Sequence, residues 1–298
     1  MRNLVTCYSV HAVRVSDSYC SGPLNKSYSS PKLIKSTQNA VSFTYKTKLS
    51  PQKHLFITIT WSHRLISQGS SWIKISDQMA SALIRNCPDS QQICKSKGTK
   101  KFESCNSKIE VHWDLSNAKF NVGLEPVSSF YVVVLIDGTV GLILGDMVKN
   151  IVAGLPIAEF MLTCQCVEFS GNSKQFLSKA KFCDSGLDHD ILVSFGTDSE
   201  GGRNPCLSVL IDKRRVIEIK RLQWNFRGNQ VVFVDGILVD VLWDVHGWFF
   251  GEGNAVFMFR TRSCFDSRLW LDEKKSYETD HEKVEFSLMI CTRKNNTG

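Results

Sequence analysis

IEVHWDL, residues 109–115, returns in the second half of the chain as VDVLWDV, residues 239–245. Both copies read [Ile/Val]-[Glu/Asp]-Val-x-Trp-Asp-[Leu/Val]. Apolar and polar residues alternate, with Leu242 the one exception. On a β-strand, alternate side chains fall on opposite faces. Ile109, Val111, Trp113 and Leu115 therefore share one face, and Glu110, His112 and Asp114 share the other. In the second copy Val239, Val241, Trp243 and Val245 oppose Asp240, Leu242 and Asp244. Each copy sends an indole into a core and carboxylates toward water, and a buried Trp fills on the order of 200 Å².

The same period runs through much of the chain. Val41, Phe43 and Tyr45 alternate with Ser42, Thr44 and Lys46, and Leu55, Ile57, Ile59 and Trp61 with Phe56, Thr58 and Thr60. Further strands are expected at 130–136, 139–144, 160–169, 177–183, 189–195, 206–211, 214–221, 230–235, 254–260 and 284–291. Asp137-Gly138 and Asp235-Gly236 each stand between two apolar runs, the setting of a tight hairpin. A third hairpin is expected to turn at Asp212-Lys213-Arg214. Helical periodicity is confined to two short candidates, Met147–Leu155 and Arg268–Tyr277. Many short strands with regular turn signals predict an all-β protein, an antiparallel β-sandwich. The repeated phrase predicts two similar half-units, 37–146 and 159–292.

The bulk properties narrow the class. The chain has 298 residues, 43% hydrophobic and 22% charged, an ordinary globular balance. Its longest apolar run, Phe130–Ile136, is seven residues, whereas a membrane-spanning helix needs about 20. No membrane span is expected. Net charge is +7, but residues 1–36 hold five Lys and Arg against the single Asp17. The body is thus close to neutral, and no nucleic-acid partner is expected. The first 36 residues also hold eight serines. They read as a disordered basic tail, with a chloroplast-type targeting peptide as the alternative. Eleven cysteines are scattered without a CxxC pair or a zinc spacing. Cys164 and Cys166 share a strand face and cannot easily bond each other. Reduced thiols in a cytoplasmic setting are the expectation, with no metal and no cofactor.

Candidate sites are few. His112 with Asp114, and Asp244 with His246, are pairs about 7 Å apart along a strand. If their strands are neighbours, the four groups form a metal or acid–base cluster, the basis of an enzyme reading. FRGN, 226–229, reads as a turn between strands, with Gly228 at positive φ, Asn229 beside it and Arg227 projecting to grip a carboxylate, phosphate or sugar. WDVHGWFFGEGN places Trp248, Phe249 and Phe250 at a glycine-rich loop tip, able to stack on a ligand. KSKGTKK, 95–101, reads as a mobile basic loop, and GTDSEGGRN, 196–204, as a surface loop without the ending of a phosphate loop. There is no GxSxG elbow.

Several longer strings carry a family resemblance: HAVRVSDSYCSG (11–22), VHWDLSNAKF (111–120), EPVSSFYVVVLIDG (125–138), LILGDM (142–147), RLQWNFRGNQ (221–230), VLWDVHGWFFGEGNAVFMFRTR (241–262) and VEFSLMIC (284–291). Together they resemble a plant-specific family, domain of unknown function 868. The resemblance spans about residues 11 to 291, with 76–95 and 145–160 departing from the pattern. It implies a plant origin and supplies no activity, cofactor or catalytic residue. The reading that emerges is a non-enzymatic binding or interaction protein with a carbohydrate, lipid-headgroup or protein ligand. Arg227, Asn229, Trp248 and Phe249 are its candidate contacts, and the enzyme built on the Asp/His groups is its alternative.

Overall fold

The two phrases occupy the second strands of two hairpins of one design. In a computed structural model, β5 (Lys97–Ser104) turns at Cys105-Asn106 into β6 (Ser107–Asp114), and β16 (Arg227–Val234) turns at Asp235-Gly236 into β17 (Ile237–Asp244). All four turn residues have positive φ, as a two-residue hairpin turn requires. Trp113 pairs with Gly98 and Trp243 with Gly228 in the same register. The apolar faces are buried as the alternation predicts.

The structure describes residues 37–64, 67–79, 90–93, 96–121, 123–148, 152–183, 186–197, 204–262 and 286–295. The basic N-terminal segment and the expected helix at 268–277 lie outside them. The described residues belong to one compact unit. Before the first hairpin run β1 (Thr37–Ser50), β2 (Lys53–Arg64), β3 (Ser67–Ser76) and the short β4 (Gln91–Ile93). After it come β7 (Lys119–Phe120), β8 (Pro126–Ser128), β9 (Tyr131–Ile136), β10 (Thr139–Gly145) and β11 (Glu159–Ser170). A meander follows: β12 (Gln175–Lys181), β13 (Asp188–Thr197), β14 (Pro205–Ile211) and β15 (Arg214–Ile219). Beyond the second hairpin are the five-residue helix α1 (His246–Phe250), β18 (Asn254–Thr261) and β19 (Ser287–Arg293).

Among these, a nine-stranded sheet has the order β16-β17-β18-β19-β11-β1-β2-β3-β4. Two four-stranded sheets, β10-β9-β6-β5 and β12-β13-β14-β15, complete the main architecture. The first packs on the β1–β4 end. Trp61 meets Phe130 edge-on at 6.4 Å, and Thr47 Oγ1 donates to Gly141 O at 2.8 Å. The second packs on the β16–β19 end, where Phe195 lies 5.9 Å from Phe257, and Phe182 6.0 Å from Phe286. The result is two sandwiches sharing one long sheet and one continuous core.

The all-β expectation holds, with differences of detail. β11 and β19 pair in parallel. Their wide separation in sequence removes the need for a tight connection, so a parallel ladder can join the two antiparallel blocks. The basic stretch 95–101 is not a loop: from Lys97 onward it forms β5, with Lys97 and Lys101 on the exposed face. Around Met147–Leu155 the described residues form turns rather than a helix. The third hairpin closes one residue earlier than expected, since Asp212 and Lys213 hold the positive φ and Arg214 already pairs with Ile211.

Candidate functional site

The end of the second sandwich near α1 gathers most of the residues singled out in the sequence. Asp244 closes β17 in two ways. Its Oδ1 accepts from the His246 backbone N–H at 3.0 Å, and its Oδ2 accepts from Arg227 Nε at 2.8 Å. The first bond is a local Asx-type turn that redirects the chain into α1. Burial works against the Asp244 carboxylate, but the His246 N–H and the Arg227 guanidinium hold its pKa below the ordinary value. Asp114 does the same work in the first hairpin. Its Oδ1 accepts from Ser116 N–H at 3.0 Å and its Oδ2 faces Lys97 Nζ at 3.0 Å.

These bonds explain the repeated phrase. The Trp ring covers a glycine on the preceding strand, and the Asp ties the cation beside that glycine to the turn after the strand. Lys97-Gly98 and Arg227-Gly228 stand at the same position in each hairpin, a correspondence that appears only once the hairpin register is known.

Gly228 is therefore not a turn residue. It lies in β16 without positive φ, where a Cβ would stand 2.4 Å from Trp243 Cζ2. Arg227 opens the strand rather than projecting from a loop, and Asn229 is an exposed strand residue opposite Leu242. Trp248 does not sit at an exposed tip. It is 5% exposed, stacked on Phe195 at 4.9 Å and edge-on to Phe176 at 5.9 Å. Lys294 Nζ lies 4.5 Å above its ring and donates to its carbonyl at 2.6 Å. Phe249 packs edge-on against Phe195. Thus α1 folds its middle aromatics down as a plug over the core, because bulky rings gain more from burial than from solvent.

What remains outside is the third ring of that stretch, Phe250, together with Trp224. Phe250 is 58% exposed and meets Phe226 at 6.1 Å and His246 at 5.4 Å. Arg227 stands over the Phe226 ring at 5.9 Å. Two residues upstream of Phe226, Trp224 is 78% exposed. Of the three rings expected at an exposed tip, Phe250 is the one the structure leaves in solvent, whereas Trp224 was not anticipated, since nothing in its neighbourhood separates an exposed ring from a buried one.

The expected convergence of His112 and Asp114 with Asp244 and His246 does not occur. β6 and β17 lie in different sheets and share no ladder. His112 is occupied locally, with Nδ1 at 3.0 Å from Thr99 Oγ1 and Nε2 at 2.9 Å from Glu110 Oε1. Among the described residues no group of His, Cys, Asp and Glu has the makings of a metal site. Asp240 was expected on a wet face, yet it is buried beneath Arg262, with Nη2 at 2.7 Å, and Arg260. The Arg262 hydrogen bond keeps its carboxyl below the ordinary range despite burial.

A second arrangement was not anticipated. Buried His189 of β13 lies between Asp212 Oδ2, 2.6 Å from Nδ1, and Asp235 Oδ2, 2.9 Å from Nε2. The two carboxylates come from two hairpin turns in different sheets, so the imidazole clasps the second sandwich together at the end away from α1. In the first sandwich Lys53 links Ser107 and Asp137 in a comparable way.

No helix among the described residues is long and apolar enough to cross a membrane. No curated protein and no solved structure matches the chain. The model of one family, described as plant protein of unknown function (DUF868), matches residues 36–294, which takes in both sandwiches and the α1 end, and the chain belongs to that family.

Proposed function

We propose that the chain is a non-enzymatic binding protein that takes a carbohydrate at the α1 end of its second sandwich. The observation that carries this reading is the exposure of Phe250, joined through Phe226 to the Arg227–Asp244 ion pair, and of Trp224 three residues before Arg227. Large exposed rings are costly to leave in water and mark contact surfaces. A sugar ring offers an apolar C–H face to such a ring and hydroxyls to the guanidinium and carboxylate at its rim. A rigid base supports the surface, because Trp248 and Phe249 lock α1 onto the core from below. Of the residues first singled out, Arg227 and Phe250 belong to this surface and Trp248 and Phe249 support it.

Titration calorimetry of the full chain against a panel of plant cell-wall oligosaccharides tests the reading. Binding to one glycan class that Trp224→Ala abolishes, with the melting temperature unchanged, is the expected result. Absence of heat across the panel overturns it. On the shared hairpin geometry we further propose that 37–146 and 159–292 are two versions of one half-unit, each with four successive paired strands followed by the Gly/Trp hairpin, the second carrying β11 in addition ahead of its meander.

A further inference from the structure

Among the described residues β16 ends the nine-stranded sheet. The two-residue turn makes Val234 and Ile237 a hydrogen-bonded pair, and Val245 N–H donates to Phe226 O at the far end. By alternation Gly228, Gln230, Val232 and Val234 bond to β17. Arg227, Asn229, Val231 and Phe233 turn their N–H and C=O groups to the open side. Their side chains also point away from the core, Val231 being 38% and Phe233 76% exposed.

The first hairpin is an internal control. β5 also ends its sheet, and it has the same register against a Trp-bearing partner. At the matching outward positions it carries Thr99, Lys101 and Glu103, and Lys101 is paired with Glu110 at 2.9 Å. Charges on an edge, lysine above all, prevent strand addition. The edges of the other small sheet are guarded likewise, by Lys179 and Lys181 on β12 and Arg214 and Arg215 on β15. β16 has neither a lysine nor a bulge, and valine and phenylalanine stand where β5 has lysine and glutamate.

We propose that β16 is a dimerisation edge, on which a second copy of the chain lays its own β16 antiparallel about a two-fold axis through Val231. Charge complementarity selects this occupant. The register sets Arg227 of each copy across from Asp235 of the other. Asp235 shares a cluster with Asp212 and His189, in which two carboxylates face one imidazole, so the cluster is negative in either state of His189. Arg227 uses its Nε on Asp244 and has its two amino groups left to reach across. Between the two ion pairs Val231 meets Val231, and Phe233 flanks Asn229. One strand per copy is a small interface, so the dimer is weak and concentration-dependent. This assembly does not rest on the carbohydrate reading, although the two draw on the same Arg227 guanidinium and would compete for it.

Sedimentation equilibrium of the full chain over rising micromolar concentrations tests it. Wild type is expected to move from monomer to dimer mass. The double variant Val231→Lys, Phe233→Glu, which installs the residues of the β5 edge, is expected to stay monomeric with its melting temperature retained. A wild type that stays monomeric, or a dimer that survives the double variant, overturns the proposal. A monomeric wild type whose melting temperature falls in the double variant overturns it too, and assigns the edge to a segment of the same chain.

Discussion

The indole of Trp243 packs against Gly228, so close that a methyl group there would stand 2.4 Å from Cζ2, and Trp113 covers Gly98 with the corresponding distance at 2.9 Å. Glycine is required at both places by a neighbouring ring, not by backbone conformation. Ala at either position overpacks a well-ordered core contact, which costs about 1–3 kcal/mol. Gly228→Ala is expected to lower the urea midpoint more than Gly98→Ala, because its Cβ meets the ring at shorter range. Equal midpoints for both variants and wild type would show that the indoles move aside freely.

This relationship marks the boundary of what the chain discloses by itself. The Trp-bearing strands, the Asp-Gly turns and the buried faces are local, and period-two alternation exposes them. The glycine partners were not legible, because a residue in β16 acquires its reason only once β17 lies beside it. The same limit applies to β5. Its apolar partner positions are interrupted by four lysines and a glycine between Lys95 and Lys101, so local composition reads as loop while the ladder to β6 makes a strand. Asp240 is a third case: polarity predicted exposure, whereas Arg262 and Arg260 on and just beyond β18 make burial tolerable.

Trp248 and Trp224 should separate cleanly by mutation. Trp248 is enclosed by Phe195, Phe176 and Lys294. Its truncation to Ala removes a plug from the sandwich end, and such losses run to about 3–5 kcal/mol. Trp224→Ala is expected to stay within about 0.5 kcal/mol of wild type, as substitutions at exposed positions do. Chemical denaturation of the two variants in parallel checks this. A large loss at Trp224 would mean that its ring is packed and unavailable to a ligand.

Asp240 is the buried anchor of two arginines. Asp240→Ala leaves Arg262 and Arg260 without their shared carboxylate, 2.7 Å and 3.5 Å away in the native chain. Both arginines are partly exposed and can turn to water, so the loss is expected near about 1–3 kcal/mol rather than the larger figures for fully buried pairs. Replacing Arg262 by Lys removes the fork that spans both carboxylate oxygens and should recover only part of the native melting temperature. Full recovery by Lys would reduce the interaction to simple charge.

His189 gives the chain a pH dependence whose sign follows from its neighbours. Desolvation, the largest single influence, pulls its pKa down, but the hydrogen bonds and charges of Asp235 and Asp212 together outweigh it and raise it above the ordinary 6.5. A raised folded-state pKa means stabilisation that is complete below about 6.5 and disappears as pH climbs through the folded value. Asp212 and Asp235 shift the opposite way, each held down chiefly by its hydrogen bond to His189. Their contribution is present above the ordinary carboxylate value of 3.8 and disappears on acidification through the folded values. The clasp is therefore expected to be strongest between the two ranges, in mildly acidic solution. The urea midpoint should fall as pH is taken from 6 to 9, a trend that His189→Gln flattens, since a neutral side chain there keeps a donor but has no proton to lose. A midpoint that rises over this interval in wild type would show that His189 is held neutral between its carboxylates.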